Sequence, residues 1–459
     1  MYELDFEKPV WVHFIGIGGI SMSGLAEVLL QRGFRVTGSD AKRSDLTRRL
    51  EEDGAEVAIG QRAANIRDGI DVVVFTAAVH PENPEYQAAV QRGIPMLTRA
   101  ELLGQMMRNY STAIAVAGTH GKTTTTAMVS EILMAGGCDP TISVGGMLDS
   151  IGGNIRVGES GYFVVEACEY TNSFLSFYPT IGVILNIRED HLDFFKDIQD
   201  IRQSFRLFAE RIPAEGLLII DSAVEDLDEI TKGLPCRVVT VGDRPEDDYT
   251  AADIVYDSLG RASFTVREKG GEAAQISLNV PGAHNVRNAL AAVAAGRELS
   301  LTMGVIRQGL GCFAGTHRRF EKKGELGGIT IVDDYAHHPD EIRATLETAR
   351  QCEVSRVVCV FQPHTYTRTK ALMEEFADAL TLADVVVLAE IYAARETDTL
   401  GISSRDLRDR IAQRGTEVYY FPSFDEIENF LLENSVNGDL LITMGAGDIV
   451  KVGENLLGL

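Results

Sequence analysis

The sequence predicts an α/β protein of three domains. Three successive segments each hold their own series of short apolar runs followed by helix-like patterns, the signature of parallel βαβ units. The chain's 459 residues also exceed the size at which one hydrophobic core stops growing. Glycine-rich turns stand between strand-like and helix-like runs, and in open α/β sheets ligands gather at such turns, beyond the carboxyl ends of the strands.

The first domain is expected over residues 1–108. It opens with a strand from Val10 to Ile15, turns through Gly16 to Gly19, and continues as an amphipathic helix to about Arg32. A second strand, Phe34 to Thr37, ends at Gly38, Ser39 and Asp40. Gly16, Gly18 and Gly19 resemble the start of a dinucleotide fingerprint, with Asp40 near the expected acidic position and Ser21 where the third glycine should stand. That departure leaves NAD unsecured and suits the pyrophosphate of a UDP-linked substrate equally well. A merely tight strand-to-helix turn also fits these residues.

The second domain is expected over residues 109–315. The strand Thr112 to Ala117 runs into Gly118, Thr119, His120, Gly121, Lys122, Thr123 and Thr124, and a helix follows that stops at Gly136 and Gly137. This is a phosphate cradle: glycines admit the backbone N–H groups, the helix N-terminus is partly positive, Lys122 neutralises phosphate oxygens and Thr123 can ligate Mg²⁺. Val116 occupies the place of the usual first glycine. A metal there needs partners on neighbouring strands, and Glu166, ending the buried strand Tyr162 to Ala167, and His191, after the strand Ile181 to Ile187, are the candidates. The stretch from Arg237 to Val280 reads as short exposed strands and turns. A helix from His284 to Leu299 closes the domain, with Asn285 and Asn288 offering amides to an adenine.

The third domain is expected over residues 316–459, with strands at Ile329 to Val332, Val357 to Phe361, Val385 to Leu388 and Leu440 to Thr443. Arg318 and Arg319 place two guanidinium groups at its junction, where one can reach ATP phosphates. Asp333 to Pro339, including His337 and His338, and Gln362 to Arg368, including His364, follow two strands read as neighbours. Titratable groups so delivered to one sheet edge favour a substrate site over a decorated surface.

The bulk numbers set limits. A formal charge of −24 argues against nucleic acid or anionic membrane as partners and requires any phosphate site to be local. The six cysteines form no close paired motif, as expected of reduced thiols in a cytoplasmic protein. The acidic N-terminus lacks the order of a signal peptide, and no apolar stretch reaches the roughly 20 residues needed to span a bilayer, so no membrane insertion is expected.

In order and spacing, the runs GIGGISMSGLAEVL, GTHGKTTTT, EACE, NIREDHLD, HNVRNALAA, HRRFE, DDYAHHP, QPHTYTRT and MGAGD resemble the Mur ligase family over nearly the whole chain, and most closely its alanine-adding branch. The resemblance implies a Rossmann-like N-terminal domain for the UDP-sugar, a central P-loop ATPase domain and a Rossmann-like C-terminal domain that admits the amino acid. It implies ATP and Mg²⁺ as cofactors, and UDP-N-acetylmuramate and L-alanine as substrates joined through an acyl phosphate. Carried over residue by residue, Lys122 binds ATP phosphates, Thr123 and Glu166 hold one Mg²⁺, and His191 contributes to a second. Asn285 and Asn288 lie on the adenine side, Arg319 faces the nucleotide, and His337 and Arg368 stand near the amino acid and the activated carboxyl. Several relatives carry a carbamylated lysine on the helix that here reads Ser204-Phe205-Arg206-Leu207, and Arg206 cannot be modified in that way. A monomer or homodimer is expected. The alternatives are a related ligase that reattaches a recycled tripeptide, a folate-polyglutamating relative, an NAD-dependent oxidoreductase built on the first glycine turn, and a nucleotide-binding switch.

Overall fold

The computed structural model describes residues 2–76, 78–192, 194–271, 273–394, 396–398 and 400–459. Asp193, in the run around His191, lies outside the described residues. The strands form three sheets, one for each α/β domain.

The N-terminal sheet contains β1 (Trp11–Ile15), β2 (Arg35–Asp40), β3 (Glu56–Ile59), β4 (Val72–Phe75) and β5 (Met96–Thr98). All run parallel in the order β3-β2-β1-β4-β5. Branched residues such as Val72, Val73 and Val74 are buried, as a sheet covered on both faces requires. The strand expected to end at Thr37 runs on to Asp40, because Gly38 and Ser39 pair in register with Phe14 and Ile15. The helix Ile20–Gln31 starts on Gly19 and buries Met22, Leu25, Ala26, Val28 and Leu29.

The central domain begins with β6 (Thr112–Ala117), β7 (Thr141–Leu148), β8 (Gly153–Arg156), β9 (Tyr162–Glu166), β10 (Ile181–Ile184), β11 (Leu217–Asp221) and β12 (Arg237–Gly242), ordered β12-β11-β10-β6-β9-β7-β8. The helix Lys122–Ala135 springs from the turn after β6. The region expected to hold short exposed strands instead forms longer antiparallel ones, β13 (Tyr249–Tyr256), β14 (Arg261–Glu268) and β15 (Ala273–Pro281). Ala262, Phe264 and Val266 in β14 and Ile276, Leu278 and Val280 in β15 are buried at every second position, which gives each strand a core face despite its polar composition. A second helix, Met303–Cys312, follows the expected helix His284–Glu298.

The C-terminal sheet contains β16 (Glu321–Leu326), β17 (Ile329–Asp334), β18 (Arg356–Phe361), β19 (Val385–Leu388), β20 (Glu417–Tyr420) and β21 (Asp439–Met444), in the order β16-β17-β21-β18-β19-β20. Only β16 pairs antiparallel. The two strands read as neighbours are therefore separated, since the last strand, β21, inserts between β17 and β18. The helix Pro339–Gln351 sends Ile342, Leu346 and Ala349 into a core with Val357, Cys359, Phe361 and Phe376.

The chain condenses into two compact units. One comprises residues 1–118, 132–187 and 202–240, and the other residues 119–131, 188–201 and 241–459. The residues of the expected phosphate cradle from Thr119 onward and the loop bearing His191 thus belong to the same unit as the C-terminal sheet.

Candidate active site

In the first unit, the N-terminal glycine turn is held from β2. Gly16 and Ile17 donate their backbone N–H groups to the Ser39 carbonyl, and Gly18 donates to Asp40 Oδ2 at 2.9 Å. Gly16 has φ +86°, and a Cβ there would lie 2.7 Å from Thr76 Cγ2. Asp40, read as the acidic residue of the fingerprint, has one carboxylate oxygen committed to the turn itself. Gly19 opens the helix Ile20–Gln31 with no side-chain cap and no acidic residue in its first turn, a setting favourable to an anion. Arg99 Nη1 donates to Ser21 Oγ at 3.1 Å; this basic group was not singled out in the sequence, because it lies 78 residues away from Ser21.

Glu166 ends β9 as expected, and its Oε2 accepts from Gly145 N at 2.8 Å. Gly118 has φ +144°, with Leu185 and the Asn186 backbone so close that a Cβ would meet them at 3.0 and 3.3 Å. Arg206, on the helix Ile198–Ala209, donates through Nη1 to the carbonyls of Ile230 and Lys232 and through Nε to Glu210.

The second unit brings most of the remaining predicted residues together. Lys122 Nζ donates to the Thr119 carbonyl at 3.0 Å, while Thr119 Oγ1 accepts from Arg188 N at 2.9 Å. Thr123 is buried at the start of its helix. His191 adopts φ +54°, a conformation costly for a non-glycine residue and typical of functional loops. Its backbone N–H donates to Asp190 Oδ1, which also accepts from Arg368 Nη2 at 3.2 Å. Burial works against the charge of Asp190, but His191, Arg368 and His338 outweigh it and hold the carboxyl far below its usual range. Arg368 Nη1 donates to His364 Nδ1 at 3.2 Å. His364 in turn stacks on Tyr392 and stands 5.9 Å, ring to ring, from His337. His337 and Arg368 therefore share one sheet edge even though β21 separates their strands.

Glu341 joins this group to the phosphate cradle. Its Oε1 lies 3.1 Å from His120 Nδ1, and its Oε2 accepts from His337 N at 3.1 Å and lies 3.3 Å from His337 Nδ1. Burial opposes its charge, yet His337, His120 and Arg319 keep its carboxyl well below the usual range. His337 Nδ1 is also 3.0 Å from the Tyr335 carbonyl. Both neighbours of Nδ1 only accept, so the neutral ring carries its proton there and leaves the Nε2 lone pair available. Burial pushes the His337 pKa down to about 4, which keeps the ring neutral near pH 7. His284, beside Arg319, is likewise pushed down to about 4, chiefly by burial.

The two guanidinium groups at the domain junction divide their roles. Arg318 holds the fold, donating to Asp333 and to the carbonyls of Gly445 and Gly447. Arg319 lies over Tyr335 at 5.5 Å and its guanidinium makes no hydrogen bond among the described residues. Asp333 and Asp334 complete β17 rather than follow it, and burial raises the Asp334 pKa to about 6. Asn285 and Asn288 are buried, with Asn288 Nδ2 donating to Asn285 Oδ1 and Asn285 Nδ2 to the Pro281 carbonyl. Donor atoms of His120, His338 and Asp340 also lie within 4.8 Å of one another. His338, however, spends Nε2 on the Glu189 carbonyl and Nδ1 on the Asp340 N–H, which disfavours it as a metal ligand.

Comparison with known proteins matches three family models in succession: the Mur ligase family catalytic domain at residues 11–111, the Mur ligase middle domain at residues 116–296, and the Mur ligase glutamate ligase domain at residues 318–447. The UDP-N-acetylmuramate–L-alanine ligase of Lachnospira eligens is 61% identical over 458 residues, covering 100% of both chains. The chain belongs to the Mur ligase family. The corresponding ligase of Agathobacter rectalis is 59% identical to this Mur ligase, again over 100% of both chains. Among solved structures, the UDP-N-acetylmuramate-alanine ligase of Thermotoga maritima superposes with a TM-score of 0.80 at 31% identity, covering 98% of each chain. A murein peptide ligase of Psychrobacter arcticus reaches a TM-score of 0.70 at 26% identity, also covering 98% of each chain. No helix of this Mur ligase among the described residues is long and apolar enough to cross a membrane.

Proposed function

We propose that this Mur ligase joins L-alanine to the lactyl carboxylate of UDP-N-acetylmuramate, consuming ATP and forming ADP and phosphate. The observation that carries the reading is the hydrogen-bonded group running from His120 of the phosphate cradle through Glu341 to His337. Such a group puts phosphoryl chemistry and an amine-side base in one assembly, as an acyl-phosphate ligase needs. The full-length relatives named for L-alanine, at 61% and 59% identity, support alanine over a recycled tripeptide, since the solved murein peptide ligase stands at 26%. We assign 1–108 to the sugar nucleotide, 109–315 to ATP and 316–459 to the amino acid.

In the first step a carboxylate oxygen of the sugar attacks the γ-phosphorus in line, the bond to the β-γ bridging oxygen breaks, and ADP leaves. The glycine turn at Gly16, Gly18, Gly19 and Ser21 receives the sugar nucleotide's pyrophosphate on its helix N-terminus. Lys122, with the backbone N–H groups from Gly118 to Thr124, offsets charge on the transferring oxygens, joined by Arg319. Asn285 and Asn288 read the adenine. The hydroxyl of Thr123 and the imidazole of His191, with its φ of +54°, are groups that would hold Mg²⁺, and the carboxylate of Glu166 offers a donor of the same kind in the other unit. An ion held by such groups would neutralise phosphate charge.

In the second step the amine of alanine attacks the activated carbonyl. The nitrogen of the tetrahedral adduct is acidic, and His337 Nε2 accepts its proton as phosphate leaves. Arg368, held by Asp190 and His364, faces the carboxyl groups. The deciding measurement is phosphate release from ATP with Mg²⁺, sugar nucleotide and a panel of amino acids plus the recycled tripeptide. Release requiring both the sugar nucleotide and L-alanine is expected; preference for the tripeptide would overturn the assignment.

A further inference from the structure

We propose that Glu341 is a positioning residue that ties the phosphate cradle to the amine-side histidine, so that His337 is set for its substrate only while His120 is in place. The carboxylate divides its oxygens between the two partners, Oε1 for His120 Nδ1 and Oε2 for the His337 backbone N–H and ring Nδ1. It is held on a rigid element. Glu341 sits in the first turn of the helix Pro339–Gln351, which begins with proline, takes an N-cap from the His338 side chain, and is anchored in the C-terminal core by Ile342 and Leu346. Its reach therefore cannot follow His120 away from the cradle without pulling on His337.

The chemistry of the pair requires a carboxylate. Both histidines present Nδ1 to it, and a carboxylate accepts on both oxygens. Glutamine accepts on one oxygen only, so its NH₂ group would confront a donor at the other end. Aspartate keeps both acceptors but is one methylene shorter and so holds the two partners less closely. Glu341 touches neither the γ-phosphate nor the amine in this scheme, and its influence is on geometry: displacement of a reacting group by about 1 Å costs on the order of 10²-fold in rate.

Two arms test the proposal, and only the second rests on the ligase reading. In the first, ¹⁵N-histidine spectra of the full-length protein are compared for wild type, H120Q, E341Q and the double variant. H120Q should move the His337 ring signals, and the same change in the E341Q background should leave them where E341Q alone puts them. A His337 signal indifferent to H120Q, or equally responsive without Glu341, overturns the link. In the second, alanine-dependent phosphate release is set beside scrambling of the ATP β-γ bridging oxygen with UDP-N-acetylmuramate alone. E341Q should lower the first by about 10²-fold while the second stays within about threefold, and E341D should recover part of the loss. An equal fall in both, or wild-type turnover in E341Q, overturns the positioning role. If the wild type itself shows no dependence on sugar or alanine, the ligase reading fails and the spectra still decide the link.

Discussion

His284, His337 and His338 are all held below the usual imidazole range by burial, the first two down to about 4. A group whose folded pKa lies below its unfolded value binds fewer protons when folded, so its contribution to stability is present above the unfolded pKa near 6.5 and is lost as pH falls toward 4. Asp334, raised to about 6, works in the opposite sense, since its folded form gains a proton between about 6 and 3.8; Asp333, also raised, sides with it. Glu27 is raised as well, but the lowered carboxyls of Glu85, Asp190 and Glu341 side with the three histidines, so acidification brings a net loss and thermal melts should fall as pH drops from 6.5 toward 4.5. H284Q should flatten that fall, and melts that rise over this interval would contradict the burial of these rings. At this scale the placement of several candidate residues was legible: Lys122, His191, His337 and Arg368 each follow a strand in a polar or glycine-rich run, and Glu166 ends one. Asp190 and Glu341 were not singled out, although one precedes His191 and the other stands four residues after His337. An acid in a loop, like Asp190, and an acid in a first helical turn, like Glu341, are both common, and only the fold shows that these two face histidines and arginines.

Strands built from branched apolar runs, such as Val385–Leu388, could be read directly because their burial on both faces leaves no other pattern. The edge strands β16 and β20 escaped, being charged or only four residues long. The helix Met303–Cys312 escaped because Gly304, Gly309 and Gly311 weaken its helical signal. Insertion of β21 between β17 and β18 could not be read from adjacency in the chain, since it joins segments about a hundred residues apart. The element on which the cluster depends most is the helix Pro339–Gln351. Leu346, fully buried among Val357, Phe361 and Phe376, is its main anchor. Leu346→Ala should destabilise the protein by about 2–5 kcal/mol in urea unfolding, through lost burial and the cavity left behind. A loss below about 1 kcal/mol would mean that the helix is not seated as described.

Across the whole molecule, composition and charge bounded the answer without giving it. Against an excess of acidic groups, Lys122, Arg319 and Arg368 stand in short runs that follow strands or a domain junction, and those runs are what made the chain readable from end to end. Its grouping into two compact units was hidden, because the phosphate cradle is contiguous in sequence with a strand assigned to the other unit. The seat of Arg206 reaches furthest from the site itself. The resemblance implies a carbamylated lysine at the matching helix of several relatives, and such a group forms from a lysine amine and dissolved carbon dioxide. Here the matching helix spends a permanently charged guanidinium on two backbone carbonyls. Turnover in degassed buffer should therefore be unchanged when bicarbonate is restored, and a rise would point to another lysine taking up the carbamate. A cell relying on this chain could build its wall at the same enzymatic capacity whether carbon dioxide around it were scarce or abundant.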